Sequence, residues 1–149
     1  MKNIYRLIAN IIFAITIFLT INITYAEDGV ADGTTFINGG IGQEEADEIR
    51  AKAGTFNLHI YMSEGKNGQS ITGVEVAIID KKGEIKFNLL DVGPILYLQL
   101  NKGSYKITAK FNDVTVVKNI SINKKSPRDI YLHWDSLETV TNDTEKELQ

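Results

Sequence analysis

Residues 93–111 read GPILYLQLNKGSYKITAKF, and this stretch decides the fold. Leu96, Leu98 and Leu100 fall on one side of an extended chain. After Asn101, Lys102 and Gly103, the residues Tyr105, Ile107, Ala109 and Phe111 fall on one side of the next, with Ser104, Lys106, Thr108 and Lys110 on the other. A period of two marks a strand with one buried and one wet face. Two such runs separated by a short loop ending in Gly predict a β-hairpin.

The alternation continues on both sides. Phe56, Leu58, Ile60 and Met62 alternate with Asn57, His59, Tyr61 and Ser63. Val74, Val76 and Ile78 alternate with Glu75, Ala77 and Ile79, and Lys81, Lys82 and Gly83 turn the chain into Ile85, Phe87 and Leu89. Downstream, Asn112 and Asp113 form a two-residue turn into 114–122. There Val114, Val116, Ile120 and Ile122 share a face that Lys118 interrupts, so a bulge near Val117 is expected to restore the register. Ile130, Leu132 and Trp134 close the sheet opposite Asp129, Tyr131 and His133. Seven short strands predict a mainly β protein, a seven-stranded Ig-like or transthyretin-like β-sandwich with one core over 36–134.

One stretch reads as helix. In 43–53, Glu44, Glu45, Asp47 and Glu48 crowd the first turns, Arg50 and Lys52 the last, and Gly54 stands where a left-handed cap is expected. Ala46, Ile49 and Ala53 make a thin apolar stripe, so the short helix needs docking on something larger. Upstream, 36–38 forms a short edge strand and 39–42 a turn.

The ends read differently. Lys2 and Arg6, an apolar run from Leu7 to Ile23, and small residues before Ala26 make 1–26 a secretory signal peptide cleaved after Ala26. The competing reading is an uncleaved membrane anchor over 7–23. Residues 27–35 are Gly- and Asp-rich and are expected to be a flexible leader, and 135–149 a disordered acidic tail. Cleavage leaves 14 basic against 19 acidic residues, a net charge of −5. That balance argues against nucleic acid, which needs a concentrated basic face, and the processed chain is expected to have no stable membrane insertion. The absence of Cys excludes disulfides, thiol catalysis, Cys-ligated metals and attachment at a lipobox.

The segment 74–122 resembles the carboxypeptidase regulatory-like, or transthyretin-like, β-sandwich. The likeness rests on VEVAIID followed by KKGEIKF, on Leu100-Asn101-Lys102-Gly103-Ser104-Tyr105, and on VTVVKNISI. The resemblance covers about 36–134 and implies that Gly103 supplies unusual backbone angles and that Tyr105 plugs the core. It implies a fold and no activity. The one hydrolase the fold hosts, acting on 5-hydroxyisourate, ends in Tyr-Arg-Gly-Ser, whereas this chain ends Lys-Glu-Leu-Gln.

Candidate chemistry is sparse. His59 and His133 both lie opposite the apolar faces of their strands, and could share a metal with Asp129 if those strands are neighbours. Solvent-facing strand positions are the commoner reading. Gly39-Gly40-Ile41-Gly42 before a helix suggests a phosphate turn, but Glu44, Glu45, Asp47 and Glu48 repel phosphate and no Walker lysine follows. Ser63, Ser70, Ser104, Ser121, Ser126 and Ser136 lack a nucleophile-elbow context. Tyr61, Tyr97 and Tyr131 fall on the outer faces and are the candidate surface-binding residues for a sugar, a peptide or a protein, unless the helix covers them. No catalytic residue and no cofactor follow from the sequence. It points to an exported, periplasmic or secreted, non-enzymatic module that binds a protein or an envelope component, through loops or through a sheet edge that accepts a strand. The alternatives are a metal-binding or hydrolytic enzyme using His59 and His133, and a membrane-anchored structural protein. The oligomeric state is not encoded in any motif.

Overall fold

The structure is a computed structural model that describes residues 27–123 and 126–136. Its strands are β1 (Glu27–Ala31), β2 (Thr34–Gly39), β3 (Leu58–Glu64), β4 (Gln69–Ser70), β5 (Val74–Asp80), β6 (Ile85–Val92), β7 (Ile95–Gln99), β8 (Gly103–Phe111), β9 (Val114–Ile122) and β10 (Arg128–Trp134). They form two sheets. One runs β1-β2-β7-β3-β10, with β4 paired to β3, and the other runs β6-β5-β8-β9. The helix α1 (Gln43–Ala51) is followed by a 3-10 turn at Ala53–Thr55. The expected β-sandwich with one short helix is therefore present, built from ten strands among the described residues.

Most of the alternating residues behave as their spacing demands, but Phe56 precedes its strand and packs under the helix instead, and Ile85 and Val114, expected on buried faces, are exposed. Leu58, Ile60, Met62, Val74, Val76, Ile78, Phe87, Leu96, Leu98, Ile107, Ala109, Ile120, Leu132 and Trp134 fill one core between the sheets. Burial of each large side chain contributes about 1.5–3 kcal/mol. A smaller cluster of Ile37, Ala46, Ile49, Phe56, Ile95 and Tyr97 lies on the other face of the six-stranded sheet, under α1. Strand β7 is thus covered on both sides.

The expected hairpin over 93–111 is a different object. Strand β7 pairs with β2 and β3 in one sheet, and β8 pairs with β5 and β9 in the other. The link at Asn101-Lys102 crosses between sheets. In a hairpin, Leu96 and Leu98 would lie beside Tyr105 and Ile107; in facing sheets the two apolar rows pack against each other. Gly103 is not in the left-handed region, since it is absent from the positive-φ glycines. A Cβ there would lie 3.3 Å from the Tyr105 hydroxyl, so the ring's close approach is what favours glycine. Tyr105 does plug the core, and its hydroxyl donates to the Asn101 carbonyl at 2.8 Å.

Four further expectations change. Residues 27–35 are not a leader: β1 pairs antiparallel with β2 from Glu27↔Asn38 to Ala31↔Thr34, because Asp32 and Gly33, at φ 50° and 81°, turn the chain tightly. Consequently β2 is interior, and the 36–38 segment is not at an edge. No bulge occurs at Val117: β8 and β9 pair without a break from Gly103↔Ile122 to Phe111↔Val114. As an edge strand, β9 leaves Lys118 and Val117 in solvent without a register change. The register shifts lie between β5 and β6 instead. Finally, α1 ends on Lys52 at φ −90° with no left-handed glycine, because the chain tightens into the 3-10 turn. The Asn112-Asp113 turn is as expected, with φ 46° and 63°, the signature of a primed turn.

Two asparagines bracket β7. The Asn38 carbonyl oxygen accepts from Gly93 N–H at 2.8 Å, and its amide donates to Asp91. Asn57 accepts from Leu100 N–H at 2.9 Å and donates to the Leu100 carbonyl at 2.7 Å. These bonds satisfy backbone groups where the ladder ends.

The signal peptide, its cleavage point at Ala26, the anchor alternative over 7–23 and the tail beyond Ser136 lie outside the described residues. Among the described residues no helix is long and apolar enough to cross a membrane.

Candidate binding groove on the outer face of the six-stranded sheet

Register arranges the outer face in rows across the strands. One row is Ile37, Tyr97, His59 and Asp129; the next is Gly39, Ile95, Tyr61 and Tyr131; the third is Ser70, Ser63 and His133. Helix α1 packs Ala46 and Ile49 over the β2–β7 end of the first two rows. The β3–β10 end stays open beside it.

The three tyrosines have separate fates. Tyr97 is fully buried under α1, so it is not a surface residue. Its hydroxyl meets that of Tyr61 at 2.9 Å, with the rings edge-on. Tyr61 is half-buried; burial first, and the Tyr97 hydrogen bond second, push its pKa well above the ordinary tyrosine value. It is therefore a neutral, fixed ring. Tyr131 stacks on Tyr61 with centroids 5.1 Å apart and planes 19° apart, and it is 70% exposed.

The histidines do not converge. His59 is buried, with Nδ1 2.9 Å from Asp129 Oδ1 and Nε2 3.0 Å from the Ala53 carbonyl, and its ring lies on Tyr97 at 4.2 Å. The Ala53 carbonyl can only accept, so the ring donates to it through Nε2–H. With both nitrogens engaged, His59 ties the 3-10 turn to β10. The expected neighbourhood with Asp129 exists, but His133 sits four residues further along β10, roughly 13 Å away at ~3.3 Å per residue. His133 Nδ1 lies 3.2 Å from Ser63 Oγ on the exposed face. Among the described residues no three His, Cys, Asp or Glu side chains are grouped to hold a metal ion.

Between α1 and the tyrosine stack runs an open groove of about 550 Å³. Its walls include Gln43, Arg50, Tyr61, Ser63, Thr72 and Tyr131. Such a volume lies within the range of small-molecule sites, and a few polar groups among rings are their usual lining. Arg50 Nη1 is paired with Asp47 at 2.9 Å, so the groove carries no unbalanced cation. At the helix start, the Glu45 carboxylate accepts from Ile41 N–H at 2.5 Å. The Glu45 carboxylate thus ties down the turn before the helix, and with Glu44 and Glu45 in the first turn this end of the helix disfavours a phosphate.

Gln43, Arg50 and Thr72 carried no signal in the sequence as site residues. The periodicity of each strand was visible, but the pairing of β3 with β7 and β10 that makes the rows was not. No family model, curated protein or solved structure matches this chain.

Proposed function

We propose that this protein is a non-enzymatic binding module that works after export, in the periplasm, and takes an envelope ligand in the groove between α1 and the Tyr61–Tyr131 stack. The carrying observation is Tyr131, 70% exposed yet held flat by Tyr61, which is itself fixed through Tyr97. A large ring held at the surface in one geometry loses little entropy on binding. Around it, the hydroxyls of Ser63 and Thr72 and the Gln43 amide both donate and accept. The acidic start of α1 disfavours phosphate and acidic peptides, and the paired Arg50 does not reverse that. A neutral saccharide of the envelope, with apolar ring faces and many hydroxyls, fits this set. The carboxypeptidase regulatory-like resemblance is compatible with the reading and adds only a fold.

The enzymatic alternative has less support. The Ser63–His133 contact uses Nδ1, and among the described residues the carboxylate on this face that meets a histidine, Asp129, belongs to His59.

Titration of isotopically labelled, processed protein with soluble cell-wall glycan fragments tests the reading. The expected result is amide shifts at Gln43, Arg50, Ser63 and Tyr131 that Tyr61→Ala abolishes. No shifts, or shifts confined to other faces, would overturn it. An N-terminal sequence beginning at Glu27 tests the export step, and retention of 1–26 in a membrane fraction would sink it.

A further inference from the structure

Of the four sheet edges, β10 has the fewest guards. Strand β6 slips register twice against β5, β9 carries Lys118 in mid-strand, and β1 is five residues long. Bulges, edge lysines and short edges all discourage pairing with another chain. Strand β10 runs seven residues in unbroken register, Arg128↔Leu58 to Trp134↔Glu64, with no Pro, Gly or Lys.

Its hydrogen bonds show which groups are free to pair. Arg128 N–H donates to the Asn57 carbonyl at 3.0 Å, and the Trp134 carbonyl accepts from Gly65 N–H at 2.9 Å. In a parallel ladder alternate residues face one neighbour. Residues 128, 130, 132 and 134 therefore bond to β3, and the backbone groups of Asp129, Tyr131 and His133 point off the sheet. Their side chains stand on the outer face and are exposed.

This edge is complementary to itself. We propose that β10 pairs antiparallel with β10 of a second copy, centred on Tyr131, so that the two six-stranded sheets become one. In that register Tyr131 opposes the partner's Tyr131. Asp129 opposes the partner's His133, and His133 opposes Asp129 of the partner subunit. All three pairs bring outward N–H and C=O groups together. The Tyr61–Tyr131 stack continues across the axis, and a carboxylate faces an imidazole at each end. Other registers lose this match. A slide of two residues one way sets His133 against the partner's Pro127, which has no N–H. The opposite slide sets Asp129 against Asp135 of the partner subunit, like against like. The pairing shares Tyr131 with the groove, but its test reads association and β10 amides rather than ligand binding; it would place two grooves side by side and raise avidity for a chain-like ligand.

Sedimentation velocity on the processed protein, with hydrogen exchange of the β10 amides, tests the proposal. The expected result is a concentration-dependent dimer with the Asp129, Tyr131 and His133 amides slowed. His133→Asp sets carboxylates against carboxylates at both ends and is expected to weaken association about tenfold or more. His133→Lys sets an ammonium against the carboxylate at each end and keeps the dimer. Tyr131→Pro removes one outward N–H and leaves the bonds to β3, so it is expected to give a folded monomer with an unchanged circular-dichroism spectrum. Wild-type protein that is monomeric at every concentration overturns the proposal. That includes a monomer with protected β10 amides, which would mean that residues 137–149 of the same chain occupy the edge. Equal dimerisation of His133→Asp and His133→Lys overturns it as well.

Discussion

The Trp134 indole N–H donates to the Val114 carbonyl at 3.0 Å, which ties the last strand of one sheet to the first residue of the last strand of the other. The ring is buried and meets Phe111 edge-on with centroids 6.0 Å apart. One side chain therefore closes this side of the sandwich by both packing and a hydrogen bond.

Two substitutions separate those contributions. Trp134→Phe keeps an aromatic ring and loses the bond, at an expected cost of about 0.5–1.5 kcal/mol. Trp134→Ala empties the corner and is expected to cost about 3–5 kcal/mol. Urea unfolding followed by far-ultraviolet circular dichroism measures both, and equal costs would contradict the separation.

Gly93 is a backbone requirement of another kind. A Cβ there would lie 2.9 Å from the Gly39 carbonyl oxygen and 3.2 Å from Gly39 Cα, and neither can swing away as a side chain can. The Gly93 N–H is also held by Asn38 at 2.8 Å. Gly93→Ala is expected to destabilise by about 1–3 kcal/mol, the range for overpacking. At Gly103 the neighbour is the Tyr105 ring, and Tyr105→Phe is expected to cost about 1 kcal/mol through loss of the Asn101 bond. Thermal melts of both variants check this, and a Gly93→Ala protein as stable as wild type would refute the contact.

These positions also mark how far the sequence could be read. The period of two located the strands built on Leu58, Val74, Ile85, Leu96, Tyr105, Val114 and Ile130, since that signal is local, but it wrongly counted Phe56 with the first of them. It could not tell whether the strand of Leu98 and that of Tyr105 share a sheet, because an inter-sheet crossing and a hairpin leave the same alternation. Tyr97 alternates like an exposed residue and is buried only because α1 lies over β7, a long-range contact. Glu27–Ala31 has no apolar period, and its strand is set by pairing with β2. At the groove, Tyr61 and Tyr131 were legible as outer-face aromatics. Their stacking was not, because it depends on the parallel register of β3 and β10.

The Asp80 carboxylate gives the chain an acid-sensitive turn. It accepts from Lys82 N–H at 2.8 Å and Glu84 N–H at 3.0 Å, and Lys86 Nζ lies 3.5 Å away. Desolvation pushes its pKa up, but the two backbone N–H groups and Lys86 together outweigh it and hold the carboxyl below the ordinary aspartate value. A carboxyl whose folded pKa is depressed stabilises the fold above its unfolded pKa, and that stability is lost as pH falls through the folded value. The stability gap between wild type and Asp80→Asn is therefore expected to be constant from pH 7 to about 5 and to shrink below about pH 4. Urea midpoints measured at pH 6, 4 and 3 decide it, and a gap that does not change with pH would rule out the ionic contribution.

His59 links the groove to the stability of its wall. The Ala53 carbonyl and Asp129 hold the imidazole from opposite sides while Tyr97 lies against its face. Phenylalanine can keep the ring contact with Tyr97 but leaves the Ala53 carbonyl without its donor. His59→Phe is expected to cost about 1–3 kcal/mol. Asp129 is about half exposed, so Asp129→Asn should cost less than about 1 kcal/mol. The loss should also be local. Nine residues of helix do not persist without docking, so α1 and the 3-10 turn should exchange their amide hydrogens faster in His59→Phe while β5, β8 and β9 keep their protection. Hydrogen exchange resolved by segment reads this directly. Unchanged exchange in Gln43–Ala51 would show that apolar packing of Ala46 and Ile49 alone holds the helix, and that His59 does not fix the groove wall.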